Sequence, residues 1–101
     1  MFITQPCLYG YAIDSATGVN LATARVENGQ NGALLYDLLD LYNNRAKDVC
    51  NRKDVPVIDL AALMPKNSLY FYDALHYTNE GSAIVARVVT EKMEDILEGR
   101  Y

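Results

Sequence analysis

The chain has 101 residues, of which 50% are hydrophobic and 22% are charged, and its formal net charge is −4. A chain of this length forms one domain at most, and it buries roughly 65% of its unfolded surface if it folds alone. The acidic balance argues against nucleic acid and anionic membranes as partners, because such partners are bound by basic surfaces.

The N-terminal third is predicted to contain one short strand and one long loop. MFIT is an apolar run that ends before Pro6, and a proline cannot donate a hydrogen bond to a neighbouring strand. The strand should therefore end at about Thr4. Residues 8–32 show neither strand nor helix periodicity, which predicts a loop with one helical turn near Leu21–Val26.

An amphipathic helix is predicted from Ala33 to about Asn51. Its apolar residues recur every three or four positions and are expected to face inward, with polar residues on the opposite side. The expected inward residues are Leu34, Leu35, Leu38, Leu39, Leu41, Tyr42, Ala46 and Val49, and the expected outward ones are Asp37, Asn44, Lys47 and Asp48.

The second half is predicted to be a strand, a loop and a helix. Val55, Val57 and Ile58 indicate a buried strand that ends near Asp59, and the segment MPKNSLYFY reads as a loop. Thr78 is the expected N-cap of the last helix, with Glu80 in its first turn. The expected inward residues of this helix, which should end by Gly99, are Ile84, Val85, Val88, Val89, Met93, Ile96 and Leu97.

The order strand, helix, strand predicts a βαβ unit with parallel strands, followed by a C-terminal helix. Ligand sites in such sheets lie beyond the carboxyl ends of the strands. Residues 6–10, Asp59 and the turn DALH all fall on that side. We therefore expect any chemistry of this α/β chain to occur there.

The candidate catalytic residues are Asp73 and His76, and His76 is the only histidine of the chain. A carboxylate that accepts the Nδ1 proton of a histidine fixes its tautomer and leaves Nε2 free to deprotonate a nucleophile, as in a catalytic triad. The alternative is a helix flank in which Asp73 caps or is solvated and His76 is a surface imidazole, since short motifs recur by accident. Three nearby tyrosines should either line an acyl pocket or cover the core, and these are Tyr70, Tyr72 and Tyr77.

The segment VPVIDLAALMPKNSLYFYDALHYTNEGSAIVARVV resembles the last conserved block of the SGNH hydrolases, also called GDSL esterases. The shared pattern is an aspartate, two residues, a histidine, and then a glycine that opens the final helix. LLDLYNNRAKDVCNRKDVPVIDL looks like the helix and strand before this block, and FITQPCLYG resembles the strand and loop a little earlier. The resemblance implies the C-terminal part of a flavodoxin-like three-layer sandwich. It also implies an ester hydrolase in which His76 is the general base, Asp73 orients it, and Gly81 is a close-packing position.

The family's nucleophile and oxyanion donors are missing from their expected places. They come from a Gly-Asp-Ser block, from a glycine, and from the asparagine of a Gly-x-Asn-Asp block. Ser15 lacks a leading glycine and a preceding strand, and nothing near Cys7 in the sequence is expected to lower its pKa. Asn43 and Asn44 are expected in mid-helix among solvated residues. A small ester would thus be hydrolysed only if another segment completed the site.

Two functions remain open from the sequence. One is the acid–base part of an ester hydrolase, and the other is a non-catalytic, self-assembling remnant or interaction module of the same fold. In the family's strand order, the outer edge of the MFIT strand faces a strand that is absent here. Exposed strand edges pair with other chains, so we expect a homo-oligomer formed through the first strand.

The cysteine count and the N-terminus bear on compartment and cofactors. Cys7 and Cys50 are too few for a disulfide framework, or for a zinc site with the single histidine. We expect a reducing compartment, no metal and no other cofactor. The segment MFITQPC lacks a basic region and a long apolar run, and no stretch of about 18 apolar residues is present. These features predict a cytoplasmic location and no membrane span.

Overall fold

The computed structural model describes residues 1–26 and 29–99. Its elements are β1 (Phe2–Ile3), α1 (Gly32–Arg52), β2 (Val57–Ile58), α2 (Leu60–Leu63) and α3 (Asn79–Leu97). The two strands are parallel neighbours, with Phe2 opposite Val57 and Ile3 opposite Ile58. The predicted order of strand, helix and strand is confirmed, and the fold is α/β in this general sense. The sequence does not predict α2, because four residues are too few to show a helical period.

Both long helices begin with a side-chain cap. Asn31 Oδ1 accepts the N–H of Leu34 at 2.9 Å, and Thr78 Oγ1 accepts the N–H of Gly81 at 3.1 Å. Such caps satisfy backbone donors that have no partner within the helix. Thr78 as N-cap and Glu80 in the first turn of α3 are therefore confirmed.

The hydrophobic core lies among the long loop, α2 and α3. Its buried members are Leu8, Leu21, Leu60, Met64 and Phe71, and Ile84, Val85 and Val88 of α3 pack against them. Burial of a side chain of this size stabilises the fold by roughly 1.5–3 kcal/mol. The inward positions at Ile84, Val85 and Val88 are thus confirmed, whereas Met93 and Leu97 are 40% and 82% exposed and correct the prediction. Successive helical residues point about 100° apart, so Leu97 turns to solvent when its half-buried neighbour Ile96 packs inward.

The orientation of α1 corrects a second prediction. Leu35, Leu39 and Ala46 are half-buried, but five other residues expected to face inward are between 43% and 76% exposed. These five are Leu34, Leu38, Leu41, Tyr42 and Val49, and we call them the outer face of α1. The apolar residues of α1 form one broad face around about half of the helix, and their spacing cannot tell which part of that face is packed. None of the helices in the described residues has the length and apolar character needed to cross a membrane.

The long loop is organised by a buried carboxylate. Asp14 Oδ1 accepts the N–H groups of Ala16 and Ser68 at 3.0 and 3.2 Å, and Oδ2 accepts the hydroxyl of Thr17 at 2.8 Å. Burial alone would raise the pKa of Asp14, but the hydrogen bonds from Ser68, Ala16 and Thr17 outweigh burial and lower the pKa to about 2. The hydrogen bonds to the ionised carboxylate of Asp14 therefore hold this loop in its conformation.

Candidate active site

Asp73 and His76 lie in a tight turn immediately before α3. Asp73 Oδ1 accepts the N–H of Leu75 at 2.9 Å and that of His76 at 2.8 Å, which closes the turn around the carboxylate. The imidazole of His76 folds back on the same carboxylate, with Nδ1 2.9 Å from Oδ1 and 2.8 Å from Oδ2. The predicted contact between the carboxylate and Nδ1 is therefore present.

This geometry sets the protonation of both groups. The N–H groups of Leu75 and His76, followed by the imidazole, hold the pKa of Asp73 below its usual value. Because an ionised carboxylate only accepts hydrogen bonds, the neutral imidazole must carry its proton on Nδ1. Nε2 makes no hydrogen bond with any described residue. The free nitrogen is consequently the basic one.

The turn is attached to the rest of the molecule at both ends. Phe71 is buried and forms an isolated antiparallel bridge with Tyr77, and Tyr72 N donates to His76 O at 3.1 Å. The N–H of Leu8, from the segment after β1, donates to the carbonyl of Ala74 at 2.9 Å. The segment that follows β1 is thereby joined to the Asp73–His76 turn at Leu8.

Gly81 allows α3 to start close to this turn. A Cβ atom at position 81 would overlap the carbonyl oxygen of Tyr70, which also accepts the N–H of Thr78 at 3.0 Å. Any side chain would push the first turn of α3 away from the loop that carries the candidate site. The close packing expected at this position is therefore observed.

A groove of about 620 Å³ runs past the exposed imidazole. Its volume lies within the range of ligand sites, roughly 300–1,000 Å³. The ring of Tyr72 stacks on that of His76, with centroids 5.6 Å apart and an interplanar angle of 16°. The other lining residues are Tyr9, Arg25, Val26, Gln30, Leu35, Asp73, Ala74 and Leu75. Of the three tyrosines noted in the sequence, Tyr72 lines the groove, whereas Tyr70 and Tyr77 pack against the core.

No candidate nucleophile lines this groove among the described residues. Ser15 lies in the loop organised by Asp14, and its hydroxyl accepts a hydrogen bond from Asn67 Nδ2. Cys7 is only 3% exposed, and its thiol donates to the carbonyl of Tyr9. Burial raises the pKa of Cys7 even though Lys66 Nζ, 4.0 Å from Sγ, opposes the rise. The sequence analysis missed this lysine, but the conclusion that Cys7 is not an activated nucleophile remains.

A second polar cluster occupies the carboxyl ends of the strands, where a cavity of about 160 Å³ lies beside α1. Asp59 accepts hydrogen bonds from Thr4 Oγ1 at 2.8 Å and from Lys47 Nζ at 3.0 Å. Burial alone would raise the pKa of Asp59, but the hydrogen bonds from Lys47 and Thr4 outweigh it and lower the pKa. Lys47, predicted to face solvent, therefore joins α1 to the sheet. We assign this cluster a structural role, because the charges of Lys47 and Asp59 are paired with each other.

Asn43 also corrects a prediction, since it is 7% exposed rather than solvated. Its Oδ1 accepts the N–H of Gln5 at 3.1 Å, and its Nδ2 donates to the carbonyl of Gln5 at 2.9 Å. The side chain thus pairs with the backbone just after β1 as a neighbouring strand would. The neighbouring Asn44 is exposed, as predicted.

The chain was compared with protein-family models, with curated proteins and with solved structures, and none of these comparisons gave a match. The resemblance to the SGNH hydrolases therefore depends on the residues quoted from the sequence. Within the described residues, no group of three or more histidine, cysteine or carboxylate side chains is placed to hold a metal ion.

The groove residues outside the turn were missed by the sequence analysis. Arg25, Val26 and Gln30 come from the long loop, and Leu35 comes from the first turns of α1. They meet the Asp73–His76 turn only through tertiary folding. The sequence contains no local signal for such a meeting.

Proposed function

We propose that this chain carries the acid–base pair of an SGNH-type ester hydrolase. His76 is the general base and Asp73 is its orienting partner. The observation that supports this most strongly is the direction of the imidazole, since Asp73 holds Nδ1 while Nε2, beside the groove, has no partner among the described residues. The complete domain implied by this proposal is a flavodoxin-like three-layer sandwich.

The proposed reaction transfers a proton twice. A serine hydroxyl, supplied from outside the described residues, attacks the carbonyl carbon of a small ester while His76 Nε2 accepts its proton. Asp73 stabilises the resulting imidazolium by its charge. Nε2 then gives the proton to the alkoxide that leaves, and a water molecule repeats the sequence to release the acid.

The first experiment uses the chain alone. Its rate with p-nitrophenyl acetate should equal that of His76→Ala, because the described residues place no serine or cysteine nucleophile in the groove beside His76. A rate that depends on His76 and disappears in Ser15→Ala or Cys7→Ala would contradict the assignment of the nucleophile to another segment.

The second experiment uses the DNA upstream of Met1. If the reading frame continues into a Gly-Asp-Ser block, the longer polypeptide should hydrolyse p-nitrophenyl esters. His76→Ala should then lower kcat by about 10³–10⁶ and Asp73→Asn by about 10⁴, as in other hydrolytic triads. An active longer polypeptide that is insensitive to both substitutions would rule out the proposed roles.

A second candidate function is a non-catalytic, self-assembling module. It is favoured by the apolar outer face of α1 and by the lack of a serine, threonine or cysteine among the described residues that line the groove beside His76. The open edge of β1 at Ile3 is the surface that the sequence suggests for assembly. A start site at Met1 with no upstream block, together with stable oligomers, would favour this function.

A further inference from the structure

The outer face of α1 is an apolar surface with no cover in the described residues. Leu34, Leu38, Leu41 and Val49 follow one another at helical spacing along a helix of 21 residues, which is about 30 Å long. No residue of α1 belongs to the buried core cluster. Surface helices normally direct polar residues to solvent, and contiguous exposed apolar surface marks an interface.

Two charged residues on and beside this face, Asp37 and Arg45, lie at equal distances on either side of Leu41. Arg45 lies on the face, four residues after Leu41, and forms no hydrogen bond or ion pair with any described residue. Asp37 borders the face, four residues before Leu41. Its carboxylate accepts the hydroxyl of Tyr11 at 2.9 and 3.0 Å and forms no ion pair with any described residue.

We propose that the outer face of α1 packs antiparallel against the same face of a second copy of this chain, with Leu41 at the two-fold axis. With the two-fold axis at Leu41, Arg45 of one copy lies opposite Asp37 of the second copy. The axis repeats this contact, so Asp37 of the first copy lies opposite Arg45 of the second copy. It also brings Leu34 near Val49 of the second copy. A partner of different sequence would not require an acid and a base at equal distances from one apolar residue.

The edge of β1 offers a much smaller surface for a second copy. Phe2 N and Thr4 N already donate to Pro56 O and Ile58 O at 2.9 and 3.0 Å, and the backbone of Gln5 is paired with Asn43. Within β1, only the backbone of Ile3 is directed toward the open edge. One residue supplies at most two hydrogen bonds, whereas the outer face of α1 supplies several side chains. This inference does not depend on the proposed ester hydrolase.

Sedimentation equilibrium of the full chain across the micromolar range tests the proposal. We expect a dimer that Leu41→Lys converts to a monomer with an unchanged circular dichroism spectrum. Leu97→Lys is the matched control, because it places the same charge at an exposed apolar residue on another helix and should leave the dimer intact. Ile3→Pro should also leave the dimer intact.

Exchange of the charges tests the antiparallel arrangement itself. Asp37→Arg and Arg45→Asp should each raise the dimer Kd about tenfold or more, because each creates two like-charge contacts across the axis. An equal mixture of the two variants should form a heterodimer of near wild-type affinity, because each arginine then meets an aspartate. Tyr11→Phe controls for the loss of the hydroxyl contact to Asp37 and should have no effect.

Three results would overturn the proposal. The first is a wild-type chain that stays monomeric throughout the range, which would leave the face for a different protein or for another part of a longer chain. The second is a dimer that resists Leu41→Lys but is broken by Ile3→Pro, which would place the contact at β1. The third is a mixture of the charge variants that associates no better than either variant alone.

Discussion

Replacement of Asn43 by alanine should destabilise the protein, although Asn43 lies in mid-helix and its neighbour Asn44 has the same side chain. The variant removes two hydrogen bonds to the backbone of Gln5, at 2.9 and 3.1 Å. Each such bond contributes about 1 kcal/mol, and alanine restores up to about 0.7 kcal/mol through its higher helix propensity. Because Gln5 is exposed and can bind water once the amide is gone, we expect a net loss of about 1–2 kcal/mol.

Asn44→Ala is the matched control for this prediction. Asn44 Nδ2 makes only an exposed contact with Asp40 at 3.3 Å, so its removal should change the free energy of unfolding by less than about 0.5 kcal/mol. Urea unfolding of both variants measures the difference, and Asn43→Ala should also lower Tm by about 5–10 °C. Equal stabilities of the two variants would refute the inference that Asn43 substitutes for a strand at Gln5.

Three further predictions concern the loop, the candidate site and the start of α3. The folded pKa of Asp14, about 2, is below its unfolded value of about 3.9, so its contribution is full above the unfolded value and is lost as pH falls toward 2. Urea unfolding of Asp14→Asn should accordingly show a weaker pH dependence between about pH 5 and pH 2 than wild type. Nitrogen-15 NMR of the single histidine should report a proton on Nδ1, and Asp73→Ala should shift the population toward the Nε2–H tautomer. An unchanged tautomer would mean that the carboxylate does not orient the ring. Gly81→Ala should lower stability by about 1–3 kcal/mol despite its gain in helix propensity, whereas Ser82→Ala should not, and equal Tm values would contradict the overlap with the preceding loop.

Local patterns in the sequence predict much of this structure. The order of strands and long helices follows from apolar periodicity, and the cap at Thr78 follows from residue type at a helix start. The contact between Asp73 and His76 is also local, since a turn of four residues brings the two side chains together. Local patterns do not predict the tertiary contacts. The packed part of α1 and the burial of Asn43 depend on which surfaces meet, and the two parts of one broad apolar face are equivalent until another element packs on one of them.

The hydrogen bonds that hold Asp73 and His76 all close within a few residues, whereas Arg25 and Leu35 reach the groove from far along the chain. Hairpin-sized structure forms in microseconds, but distant segments must first lose the entropy of closing a long loop. The pair should therefore acquire its geometry early in folding, before Arg25 and Leu35 complete the groove. Substitutions in the turn and in the distant part of the groove should likewise have separate effects. Substitutions at Arg25 or Leu35 should change the lining of the groove, while Asp73 still orients the imidazole.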